Sequence, residues 1–216
     1  IGVWLLLLLL AGLFDALGVE FFSKQILKPR FIYPVSSLVF GTSIIMGERR
    51  YPAESRYLVL SHIGRLLPLA SLILVLFLSV LPWVGLQPLW DTHDATTLML
   101  ILQLAIIVLV NASWRDGKDA PMFPKPIQWL IRLSLVLLPI MGVLCVWALS
   151  LRVQQHGWTV DRIWAGLIIL IVALIGFLYA RAATDISSWL KGVGPSNHWT
   201  ALVLLVALLL MESPLL

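Results

Sequence analysis

The chain has 216 residues, of which 60% are hydrophobic and only 12% charged. Its mean hydropathy is +0.98. A soluble domain carries roughly 25% charged residues, so this chain lacks the polar surface to coat a water-soluble globule. A soluble enzyme, a nucleic-acid-binding module and a disordered chain are excluded together.

What remains is an all-α polytopic transmembrane helix bundle. A span takes about 20 residues, so this length holds six or seven spans with short loops. The excess of 15 Lys and Arg over 11 Asp and Glu fits basic residues flanking spans, not nucleic acid. The lone cysteine, Cys145, lies in an apolar run and allows no disulfide framework. Residues 1–216 read as a single transmembrane domain, and as a piece of a longer chain. The segment Ile1–Phe14 lacks the basic flank and small-residue cleavage site of a signal peptide, so a span is expected there.

In chain order, the first span is expected over Gly2–Phe22, with a leucine run at Leu5–Leu10. A basic segment ending in Lys28-Pro-Arg30 separates it from a second span at Phe31–Met46. Tyr51–Arg65 mixes Arg56, His62 and Arg65 with apolar residues, which suits an interfacial amphipathic helix. The third span is Leu66–Val84 and the fourth Thr96–Ala112. A proline-rich loop leads to the fifth, Gln128–Leu151, and a compact polar turn to the sixth, Ile163–Tyr179. Gly192-Val-Gly194-Pro195 reads as loop, and a seventh span follows at His198–Met211.

The basic residues set an expected topology. Connections after spans two, four and six hold Arg49, Arg50, Arg56, Arg65, Arg115, Lys118, Lys125, Arg181 and Lys191. Those after spans one, three and five hold Lys24, Lys28, Arg30, Arg152 and Arg162. The first set is the larger, so the N-terminus is expected on the cytoplasmic side. Most of the ten tryptophans fall near span ends, as an interfacial aromatic belt does.

Two groups of residues stand out as candidates for function. Asp15 and Arg132 are charges placed within predicted spans, and an acid or base there is a functional candidate by default. The competing reading puts Asp15 near a helix end and lets Arg132 snorkel to the interface. The second group is the connection Arg152-Val-Gln-Gln-His156-Gly157-Trp-Thr159-Val-Asp161-Arg162. Gly157 suits a helix end at positive φ. Thr159 suits an N-cap, and Asp161 suits the positive end of the sixth helix. Arg162 at that end needs a carboxylate, a phosphate or the interface. The bland alternative is a tightly capped turn. Gln103 and Asn111 share one helix face and suit interhelical hydrogen bonds. The four histidines lack metal spacing, and no metal or cofactor is expected.

The connection motif also carries a resemblance. Gly85-Leu-Gln-Pro-Leu-Trp90, Asn111-Ala112, and Gly157, Trp158, Thr159, Arg162, Trp164 and Ala165 are similar to the bacterial membrane family catalogued as domain of unknown function 4153. His156 stands where that family usually has an aromatic. The resemblance implies an integral protein of the bacterial inner membrane with no established activity.

The preferred expectation is a non-enzymatic, permease-like or envelope-associated membrane module, with the lipid bilayer and a membrane or envelope protein as partners. One alternative is a small-solute or ion transporter using Asp15 and Arg132, with Pro139-Ile-Met-Gly142 as a helix break. Another is an enzyme on a lipid-linked substrate, centred on Asp91, His93, Asp94 and His156.

Overall fold

The computed structural model describes residues 2–47, 63–91, 94–114, 123–185 and 189–211. Every described element is a helix: α1 (Gly2–Asp15), α2 (Phe21–Ile26), α3 (Pro29–Gly47), α4 (Leu67–Val84), α5 (Gln87–Asp91), α6 (Ala95–Trp114), α7 (Lys125–His156), α8 (Val160–Thr184) and α9 (Val193–Met211). Among the described residues, four of these (α4, α6, α7 and α8) are long and apolar enough to cross a bilayer. The interfacial helix expected at Tyr51–Arg65 lies almost wholly outside the described residues.

The first expected span is corrected. Residues 2–22 are not one helix, because α1 stops at Asp15. Gly18 takes φ of +76°, Val19 N–H bonds to the Phe14 carbonyl at 2.8 Å, and Gly18 N–H bonds to the Asp15 carbonyl at 2.9 Å. That pair of bonds around a left-handed glycine is a Schellman end. At 1.5 Å per residue, the 14 residues of α1 reach about 21 Å, short of a hydrocarbon core of about 30 Å. The chain then doubles back through α2, which packs against α1.

α4 matches its predicted span to within one residue, and the other long helices overrun theirs by one to five residues at one or both ends. Hydropathy sees only the apolar middle, while caps carry the helix on into the interface. Two further expectations are corrected. Gly192-Val-Gly194-Pro195 is not all loop, since Val193, Gly194 and Pro195 form the first turn of α9, where proline's missing N–H has no helical partner to lose. Pro139-Ile-Met-Gly142 is not a break either. One helix of 32 residues runs through it, held by neighbours on both sides.

The centre of the bundle is the antiparallel pair α7 and α8, with α4 and α6 against α7 and α9 against α8. Small residues allow the close approach: a Cβ on Gly142 would stand 2.8 Å from the Ala173 Cβ, and one on Gly176 would meet the Leu138 backbone at 3.6 Å. In lipid there is little hydrophobic drive between helices, so such packing carries the association. α1 crosses from Leu66 of the chain entering α4, which lies against Gly2, to Leu98 at the start of α6, which lies against Gly12.

The outward faces are as apolar as the inward ones. Val143, Leu170 and Phe177 are each at least 60% exposed, at mid-helix. A helix that is hydrophobic all round belongs in a membrane. Exposed tryptophans mark both rims: Trp129 and Trp199 near the starts of α7 and α9, Trp83, Trp158 and Trp164 at the opposite end. The helical run from Trp129 to His156 spans about 40 Å, close to a full bilayer with its headgroups.

The Gly142–Ala173 contact gives a test. Gly142→Ala is expected to destabilise the detergent-solubilised protein by about 1–3 kcal/mol through overpacking against a backbone that cannot yield. Gly166→Ala, whose Cβ would meet only the flexible end of Leu149 at 3.2 Å, is expected to shift the thermal unfolding midpoint much less.

Candidate functional site

The structure sorts the few polar groups of the bundle into two ends. One end gathers the C-terminal ends of α6 and α8 with the N-terminal ends of α7 and α9. The other gathers the C-terminal end of α7 with the N-terminal end of α8.

At the first end lies Arg132, seven residues into α7 and only 8% exposed. Its Nη1 donates to the Ala183 carbonyl at 3.2 Å and to the Asp185 carbonyl at 2.6 Å. Its guanidinium carbon sits 6.0 Å from the centre of the Trp189 ring, in cation–π range. The two carbonyls belong to the last turn and C-cap of α8, where a helix leaves acceptors unfilled and carries partial negative charge. Arg132 lies about 10 Å from the start of α7. A helix of about 48 Å overhangs a core of about 30 Å by some 9 Å at each end. The charge therefore lies at the edge of the hydrocarbon, where the insertion cost of a few kcal/mol at the centre is relieved.

At the second end, Arg162 does the converse. Two residues into α8, it donates through Nη1 to the His156 carbonyl at 3.2 Å and the Gly157 carbonyl at 2.7 Å. These are the end of α7 and its cap. Arg162 thus finds partners in the terminal carbonyls of the preceding helix. Gly157 turns the chain with φ of +73° and ψ of 179°, a region open essentially to glycine alone. The Thr159 hydroxyl accepts from the Arg162 N–H at 3.4 Å as N-cap of α8. Asp161 is exposed in the first turn, His156 is exposed, and Arg152 is half-buried one turn before it. The connection is a tightly capped turn.

A third constellation is not visible as a unit in the sequence. Asn111 of α6 donates to the Tyr179 hydroxyl at 2.6 Å, Tyr179 of α8 donates to Asn197 Oδ1 at 2.5 Å, and Asn197 of α9 donates back to Asn111 Oδ1 at 2.6 Å. This closed ring ties three helices at the Arg132 end. Their signal in the sequence is position: Asn111 and Tyr179 fall at the ends of predicted spans, and Asn197 immediately precedes one, all on the same expected side. Deeper in, Ser134 of α7 donates to the Ser71 hydroxyl of α4 at 2.9 Å. Gln103 of α6 is fully buried and donates to Cys145 Sγ at 3.5 Å, while its Oε1 has no hydrogen-bond partner among the described residues.

Asp15 is not joined to Arg132. It ends α1 at the far side of the bundle, exposed, where its Oδ1 accepts from the Ser23 hydroxyl at 2.8 Å. From Leu98, near α1's end, to Asn111, in the ring, α6 climbs about 20 Å. Next to Asp15, Glu20 and Lys24 form an exposed ion pair. Of the Asp91, His93, Asp94 and His156 grouping, His93 and the Asp91 side chain lie outside the described residues, and Asp94 and His156 are exposed. Among the described residues, no group of three His, Cys, Asp or Glu side chains is placed to hold a metal.

No family model matches the chain, and no curated protein or solved structure matches it.

The arginines and the ring make separable predictions. Arg132→Met should destabilise the protein by about 1–3 kcal/mol, since it strips two acceptors of a charged donor in a buried setting. Arg162→Met, at an exposed turn, should cost less, read from the same detergent or denaturant melts. Tyr179→Phe breaks two bonds of the ring, so a Tyr179→Phe/Asn197→Leu cycle should show non-additivity of about 0.5–3 kcal/mol. Additive losses would mean that the ring does not act as a unit.

Proposed function

We propose that the chain is a non-enzymatic helical module of a membrane, permease-like or envelope-associated, whose polar residues hold helices together rather than turn over a substrate. The observation that carries this reading is where the polar side chains of the bundle spend their hydrogen bonds. Arg132, Arg162, Asn111, Tyr179, Asn197, Ser71 and Ser134 all bond across helices or to helix ends. Catalytic or transport groups need free donors and acceptors aimed at a shared space.

The same proposal takes α1 with α2, α3, α4, α6, α7, α8 and α9 as seven membrane segments, with the Arg132 end on the cytoplasmic face of a bacterial inner membrane. Support comes from the alternating direction of α1, α6, α7 and α8, from the two tryptophan rims, and from the greater number of basic residues in the connections at the Arg132 end. The residue match of the 157–165 connection to the family catalogued as domain of unknown function 4153 belongs to this reading. The partner would be a second membrane or envelope protein.

A transport reading has one observation in its favour, the buried Gln103 Oε1 between α6 and α7, without a partner among the described residues. The discriminating experiment is flux. Proteoliposomes loaded with a pH-sensitive dye, under an imposed potassium gradient, should show no more proton or potassium leak than protein-free vesicles. A leak that Gln103→Leu or Asp15→Asn abolishes would overturn the module reading and install the transporter.

A further inference from the structure

An open groove of about 520 Å³ lies between α1, α2 and the start of α3. Its size falls within the usual range for ligand sites. The apolar lining is Leu7, Leu10, Phe21, Phe22, Ile26 and Phe31. Two polar residues complete it: Gln25 and Arg30, joined by a bond of 2.6 Å from Arg30 Nη2 to Gln25 Oε1. The groove exists because Gly18 turns the chain back, so that α2 lies beside the end of α1 instead of extending it.

Two features fix the chemistry of an occupant. The first is depth. From Leu7 to the end of α1 at Asp15 is about 12 Å, close to one leaflet of a hydrocarbon core about 30 Å thick. The second is charge. Lys24 pairs with Glu20 and Asp15 accepts from Ser23, while Lys28 and Arg30, both exposed, stand beside the groove with no salt bridge among the described residues. Arg30 keeps further guanidinium donors beyond the one given to Gln25, and its fork matches a phosphate. An apolar trough of leaflet depth with an exposed arginine in its lining fits an acyl chain beside a phosphate.

We propose that this groove seats one acyl chain of an anionic phospholipid, with the lipid phosphate on Arg30. Lys28 adds positive charge at the headgroup level and favours lipids with a net negative head over zwitterionic ones.

The test uses the whole chain, purified in detergent and examined by native mass spectrometry after adding phosphatidylglycerol or phosphatidylcholine of identical chains. One phosphatidylglycerol should remain bound at collision energies that strip phosphatidylcholine. Arg30→Gln, which removes the charge, should weaken that retention by about tenfold, the loss expected for one charge-assisted contact. Leu7→Trp, which fills the trough and leaves Arg30 in place, should weaken it as well. Equal retention of the two lipids, or an unchanged Arg30→Gln, would overturn the proposal. Loss with Arg30→Gln but full retention by Leu7→Trp would reduce the site to a headgroup contact and overturn the acyl-chain seat. The wild-type comparison of the two lipids stands whether or not either variant folds.

Discussion

The α7–α8 hairpin is held by two arginines working in opposite directions. Arg132, near the start of α7, fills the carbonyls at the end of α8. Arg162, near the start of α8, fills those at the end of α7. Each helix end that would leave acceptors bare is thus satisfied by the other helix. The exchange fixes the register of the pair at both ends, and the close contacts at Gly142 and Gly176 lie between the two locks. The helices that pack on this pair, α4, α6 and α9, inherit a rigid platform.

That arrangement also explains how a chain with so few charges holds a defined bundle. Packing between apolar helices in lipid is weakly directional, and an interhelical hydrogen bond contributes only about 0.6 kcal/mol on average. Specificity therefore falls to a handful of polar contacts at distinct heights: the Asn111–Tyr179–Asn197 ring at one end, Ser71–Ser134 within, the Arg162 turn at the other. Each joins different helices, and a one-residue slip would break several at once.

Much of this was legible from the residues. Spans three to six, the turn at Gly157, the N-cap at Thr159 and the tryptophan rims follow from local patterns, and local patterns are what a sequence displays. The misses have a common cause. Gly18 sits inside an apolar stretch, and hydropathy averages over a single residue whose effect is conformational. Pro139 looks like a break because its local cost is visible and the packing that overrides it is not. Arg132 found its partners 51 and 53 residues away, and backbone carbonyls have no signature in a sequence. Asp15 lies in an apolar stretch that reads as a span, but the helix ends at that residue. The ring residues were visible one by one, and only the topology brings Asn197 to Asn111.

The long reach of Arg132 bears on how the protein is made. Chains grow at about 5–20 residues per second, so the carbonyls of Ala183 and Asp185 emerge roughly 3–10 s after Arg132 itself, at a separation of 51 residues or more. During that interval α7 enters the bilayer with a guanidinium that has no helix end to cap. The basic residue that later locks the hairpin is, for those seconds, a brake on the depth to which α7 can sink, holding its first two turns at the interface until α8 arrives.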